Sequence, residues 1–156
     1  MATFTEAQMR EAIETEIRAA APLAKVFRWW GLGWDDRTWP GLLVSSADSN
    51  RVHGYVITRR RTYAEREQPN CVRRFFTYQI RGLRWYDDDS KNAASSDLIY
   101  NAELDAICER FANRTALPRS INRIAENSEL DFTVDLNLFG AQLLHRAVGS
   151  ITIEQC

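Results

Sequence analysis

A chain of 156 residues, 45% of them hydrophobic, can bury a core without disulfides or metals and suits a single domain spanning residues 1–156. Its formal net charge of -1 leaves no global basic excess to hold a polyanion by counterion release, so charge does not predict free nucleic acid as the partner. Lys25 and Lys91 are the only lysines among 20 basic residues, and the planar arginine fork suits contacts between proteins.

Three cysteines, Cys71, Cys108 and Cys156, cannot all pair within one chain and lack zinc-knuckle spacing, which predicts a reducing compartment. The first residues carry no basic segment followed by an apolar run. No stretch approaches the roughly 18 apolar residues of a membrane span, so the sequence predicts no membrane partner.

In chain order, Thr5-Glu6-Ala7-Gln8 reads as a capping box. The helix it opens has Met9, Ala12, Ile13, Ile17 and Ala20 as its apolar stripe, with Glu11, Glu14, Glu16 and Arg18 mostly off it, and Pro22 ends it. Ala24 to Trp30 is β-branched and aromatic and predicts a strand that stops at Gly31. The irregular stretch Trp29 to Gly41 holds four of the five tryptophans. Indole is enriched both in cores and in interface hot spots, so this loop reads equally as self-packed or as contact with another chain, with Trp34 and Trp39 the interface candidates.

Leu42 to Val44 predicts a short strand and Ser45 to Asn50 a turn. Val52 to Arg61 and Val72 to Tyr86 then predict two long strands joined as an antiparallel hairpin through a polar connection, Thr62 to Asn70. In the second strand Val72, Phe76, Tyr78 and Ile80 share one face, while Arg73, Thr77, Gln79 and Arg81 share the other. Arg59, Arg60, Arg61, Arg66, Arg73 and Arg74 give the hairpin a basic tip, partly balanced by Glu65 and Glu67. Arg73, Arg81 and Arg84 are the expected guards of an exposed sheet edge.

The acidic break Asp87 to Ser90 precedes a helix whose face is Tyr100, Leu104, Ile107, Cys108 and Phe111, closed by Asn113 to Pro118. Pro118 to Glu129 predicts a loop with Ile121 and Ile124 pinned to the core. Leu130 to Phe139 alternates cleanly, with Phe132, Val134, Leu136 and Leu138 on one face. After the turn at Gly140, Leu143 to Glu154 returns as the last strand, with a bulge expected near Gly149. The fold class is therefore α+β: a mainly antiparallel sheet with two helices packed on one face, in the order α-β-β-β-α-β-β.

Chemistry finds little purchase in this pattern. His53 and His145 lie in strands, away from any nucleophile motif, and read as structural residues. Asp35 and Asp36, or Asp87 to Asp89, are consecutive acids without the spaced ligands and glycine of a calcium loop. The sequence thus predicts no enzyme, no metal and no cofactor.

The early helix Thr5 to Ala21, the strand Val72 to Tyr86 leading through the aspartate run to Asn101-Ala-Glu-Leu-Asp-Ala-Ile107, and the closing His145 to Glu154 occur in an order that resembles the tail terminator proteins of long-tailed bacteriophages. The resemblance covers nearly the whole chain, although the loop Trp29 to Trp39 does not align with the family. It implies a structural virion protein, assembled in the bacterial cytoplasm, that forms a usually hexameric ring at the tail-neck junction. The implied partners are its own copies, the tail tube protein and the neck or connector proteins, with DNA only as passing cargo. Arg59, Arg60, Arg61, Arg66, Arg73, Trp34 and Trp39 are the expected interface. Two alternatives stand: a neck or head-completion protein of the same particle, and a nucleic-acid-binding module that stacks bases on Phe75, Tyr78 and Trp85 beside arginines.

Overall fold

The computed structural model describes residues 5–31, 34–35, 37–87, 95–112, 123–124 and 129–155. In chain order these form α1 (Glu6–Ala20), β1 (Lys25–Phe27), α2 (Trp39–Leu42), β2 (Val44–Ser45), a 3-10 turn (Ser46–Asp48), β3 (Arg51–Gln68), β4 (Cys71–Trp85), α3 (Ser96–Ala112), β5 (Arg123–Ile124), β6 (Asp131–Phe139) and β7 (Gln142–Gln155). The strands make one sheet in the order β1-β3-β4-β7-β5, with β2 added to β3 and β6 added to β7. All described pairings are antiparallel except β1 with β3. The class is α+β, as the alternation of periods predicts.

Local chemistry starts α1 where expected. The Thr5 hydroxyl accepts from the Gln8 backbone N–H and the Gln8 side chain reaches back to the Thr5 N–H, closing the capping box. Met9, Ile13 and Ile17 from α1 and Tyr100, Leu104, Ile107 and Phe111 from α3 then pack over Tyr55, Ile57, Phe76, Tyr78, Ile80, Ala147, Ile151 and Ile153 of the sheet. Glu14 and Glu16 lie off the apolar stripe but are buried as well. Glu16 accepts from Arg110 of α3 at 2.7 Å, and Glu14 is held between Arg18 and Arg28. Burial pushes the Glu14 carboxyl up, but those two arginines outweigh it and hold it below the usual carboxylate range.

The opposite face of the sheet carries a second, smaller core. Trp39, Leu43, Val52, Val56, Leu83, Phe139 and Leu144 are buried there, with Phe27, Trp30 and Trp34 packed against them. β4 therefore serves both cores, Tyr78 and Ile80 pointing to the helices and Leu83 to the tryptophans.

Several expected boundaries move. β1 is only three residues long, and it approaches β3 so closely that a Cβ at Gly54 would sit 2.5 Å from the Lys25 carbonyl. Leu42 ends the one-turn helix α2, and the short strand begins at Val44 instead. The polar connection Thr62 to Asn70 is mostly paired strand, since β3 and β4 stay paired to Gln68 opposite Cys71, through a register shift between Arg66 and Gln68, and only Pro69 and Asn70 turn. Tyr63 stacked on Phe75 at 4.7 Å and Glu65 opposite Arg73 hold this arm together.

No bulge occurs at Gly149, where β7 pairs regularly with both β4 and β6. Leu144 belongs to the tryptophan core, whereas Ala147, Ile151 and Ile153 belong to the helix core. Two apolar faces, rather than a slipped period, explain the irregular pattern. The irregularities are instead in β3, where the register shifts between Arg59 and Arg61 and again between Arg66 and Gln68. Of the expected edge guards, Arg81 and Arg84 lie where β4 is paired on both sides and so protect no edge, whereas Arg73 lies just beyond the last pairing of β4 with β7. The loop Asn113 to Pro118, the anchoring of Ile121, the side chain of Ile124 and the acidic run Asp88 to Ser90 lie outside the described residues.

At Gly82 a Cβ would meet the Tyr100 hydroxyl at 2.5 Å and the Tyr55 ring at 2.6 Å, both from fully buried side chains. Gly82→Ala is therefore expected to destabilise the protein by about 1–3 kcal/mol, read as a lower urea midpoint at unchanged slope.

Candidate interaction face

The bulge in β3 decides where the basic side chains go. A strand alternates faces with period two, and one extra residue reverses the phase beyond it. Arg59, opposite Tyr78, turns to the helix side and bonds Glu6 of α1 at 3.1 Å. Arg60 turns to the other side and donates to Gln79 Oε1 at 2.8 Å. Arg61 lies there too, 4.7 Å from the centre of the Tyr63 ring. Arg73 reaches Glu154 at 3.3 Å on this same open face. Arg66 pairs with Val72 near the tip, on the helix side of the pleat, where both are exposed. Of the seven expected interface residues, the open face thus gathers Arg60, Arg61, Arg73, Trp34 and Trp39, and parts them from Arg59 and Arg66.

A groove of about 540 Å³ runs along this face between the tryptophan loop and the sheet, lined by Trp30, Trp34, Asp35, Trp39, Gln79, Arg81, Arg146 and Val148. Arg81 donates to Gln79 at 2.8 Å and its guanidinium stands 4.9 Å from the Trp30 ring centre. Arg146 makes two bonds to Asp135 of β6, at 2.9 and 2.5 Å. The Asp35 carboxylate accepts from the backbone of Arg37 and Thr38, which fixes the turn leading into α2. The chemistry is that of guanidinium donors framed by indole, suited to an acidic or hydrogen-bonding protein surface.

The tryptophans divide by depth. Trp39 is 3% exposed and packs against Trp30 and Phe139, whereas Trp34 is half-buried against Phe27 and Trp30 and forms part of the groove wall. Trp29 is 55% exposed. The loop is therefore largely self-packed, with an open margin.

The aromatics considered for base stacking do not share a platform. Tyr78 faces the helices and donates to Glu6 at 2.9 Å. Phe75 is buried under Tyr63, and Trp85 lies between the guanidiniums of Arg51 and Arg84, at 3.7 and 4.4 Å from its ring centre.

Two polar clusters escaped the sequence reading because their members are distant along the chain. His53, 2% exposed, places Nδ1 2.9 Å from Asp48 and Nε2 2.7 Å from Glu103 of α3. Trp85 Nε1 donates to the same Asp48 carboxylate, and the Tyr55 hydroxyl donates to Glu103 at 2.5 Å. Burial pushes the Asp48 carboxyl up, but bonds from Trp85, Arg51 and His53 outweigh it and hold the group below the usual range. In the second cluster the Ser96 hydroxyl sits 2.8 Å from His145 Nε2 and accepts from the Asp87 N–H. Ser96 and His145 are both buried, and burial with the nearby Arg84 lowers the His145 pKa against the pull of Asp97. Both clusters join elements that are distant in sequence. Among the described residues no group of acids, histidines and cysteines is placed to hold a metal ion, and no helix is long and apolar enough to cross a membrane.

No family model matches this chain, and no curated protein matches it.

Trp39→Ala is expected to cost about 3–5 kcal/mol in chemical denaturation, as a truncated core aromatic does. Trp29→Ala is expected to shift stability by less than about 0.5 kcal/mol, as at an exposed site. A folded pKa below the unfolded value makes Asp48 stabilising above its ordinary pKa of 3.8, a contribution lost as pH falls through the folded value. In thermal melts from about pH 7 to about pH 2.5, Asp48→Asn is therefore expected to start less stable and to show the flatter acid limb.

Proposed function

We propose that the chain is a structural virion protein of the tail terminator kind, which closes as a ring on the tail tube and joins the tail to the neck. The reading starts from the resemblance in element order and is supported by one feature of the geometry. Two unlike surfaces are left uncovered at opposite ends of one sheet. One is the basic hairpin arm of β3 and β4, which runs beyond the last pairing of β4 with β7 at Arg74. The other is β6, whose Val134, Leu136 and Leu138 are 36%, 49% and 65% exposed. A ring needs such a pair, because its repeated contact joins different patches on each subunit.

The work of such a protein is mechanical. Subunits stop tube growth by occupying the tube end, and their outer surface receives the neck proteins. The arm, with Arg60 and Arg61 on the open face, makes one of the contacts in this reading.

Sedimentation of the purified protein is expected to show a ring of about 108 kDa, six times the 18.0 kDa chain, and electron microscopy with polymerised tail tubes of the same phage is expected to show capped ends. Arg60→Glu with Arg61→Glu is expected to abolish capping or ring formation. If both survive that change, the arm is not the contact. A steep loss of filter-retained DNA with salt, in place of rings, would favour a nucleic-acid-binding module.

A further inference from the structure

The sheet ends in two long edges that no described strand pairs. β6 bonds to β7 alone along all nine of its residues. At the other end, β1 covers β3 only from Gly54 to Val56, so the outer side of β3 runs unpaired from there to Gln68. Each edge presents a row of backbone N–H and C=O groups ready to accept a strand.

We infer that these edges take each other: β6 of one copy of the chain adds as a strand along residues 59–66 of the next, so that the sheet continues across the subunit boundary. The inference rests on the ring reading and specifies its contact.

Three observations choose a second copy as the occupant. The edges are unlike and lie at opposite ends of one sheet, so each copy offers what the next accepts, and the contact propagates head to tail. Their charges are complementary on the same face. Asp131 and Asp135, opposite Ser150 and Arg146, lie on the open face of β6, and Arg60 and Arg61 lie on the open face of β3. Within one copy β6 runs opposite to β3, so a sheet that runs on with its faces unchanged joins them antiparallel, and one register sets Asp135 beside Arg61 on the open face.

The helix side is complementary in a different way. There the same register sets Val134, exposed in one copy, beside Thr62, and Leu136 beside the aliphatic stem of Arg59. Large apolar side chains on an exposed edge strand are an association site unless something covers them. The next copy covers them.

Charge exchange tests this. Asp135→Lys in one protein, and Arg60→Glu with Arg61→Glu in another, are each expected to weaken self-association about tenfold or more in sedimentation equilibrium, since like charges then meet across the edge. Mixing the two proteins, or combining all three changes in one chain, is expected to restore it. Leu136→Ser is expected to weaken association in the wild-type charge background, while circular dichroism stays unchanged because the residue is exposed.

Wild-type rings that persist in both charge variants, or defects that neither the mixture nor the combined variant relieves, would overturn the edge pairing and leave the ring reading standing. A wild-type chain that stays monomeric alone and on tail tubes would overturn both.

Discussion

Strand β4 is the member on which the other layers depend. It pairs with β3 along nearly its whole length and with β7 from Arg74 to Trp85, and its two faces answer to different cores. Tyr78 and Ile80 are sealed beneath α1 and α3, while Leu83 is sealed beneath the tryptophan loop. Covering both faces of an antiparallel strand demands apolar residues at both parities, and where a cover ends the polar residues return. Thr77, Gln79 and Arg81 mark the stretch where the tryptophan side opens. The groove therefore exists because the smaller core stops partway along the sheet.

The polar interior ties this arrangement to the helices. His53 on β3 meets a carboxylate at each ring nitrogen, one from the 3-10 turn and one from α3, while Trp85 of β4 and Tyr55 of β3 donate to the same two carboxylates. A buried network of this kind is stabilising only when every member is paired, and it then enforces a single relative placement of its elements. Here it joins the start of the long hairpin to the middle of α3.

Features set by neighbours in sequence were legible before the structure. Thr5 and Gln8 are three residues apart and announce α1; Tyr100, Leu104, Ile107 and Phe111 announce the buried face of α3. Features set by distant partners were not. Ser96 and His145 meet across 49 positions, and nothing near either residue says so. Three consecutive arginines carry no alternation, so the bulge that sends Arg59 one way and Arg60 the other left no pattern to read. β6 illustrates a subtler limit. Its alternation correctly gave two faces, yet periodicity reports only that an apolar face exists, and the exposure of Leu136 and Leu138 depends on how far the helices reach.

That reach also explains why the uncovered surfaces differ in chemistry. The described helices place their apolar residues over β3, β4 and the second half of β7, and acidic side chains of α1 bind the arginines within range, Glu6 holding Arg59 and Glu14 holding Arg28. The basic residues Arg60, Arg61 and Arg81 lie on the face away from α1 and α3. Arg60 and Arg81 both donate to Gln79, and Arg61 rests on Tyr63, so these guanidiniums keep donor capacity that their described neighbours do not exhaust. Beyond the helices at the other end, β6 keeps its leucines and aspartates. One sheet thus carries an apolar, acidic edge and a basic edge because cover from the helices falls between them, and a sheet continued through those edges would leave the tryptophan groove facing outward for a different partner.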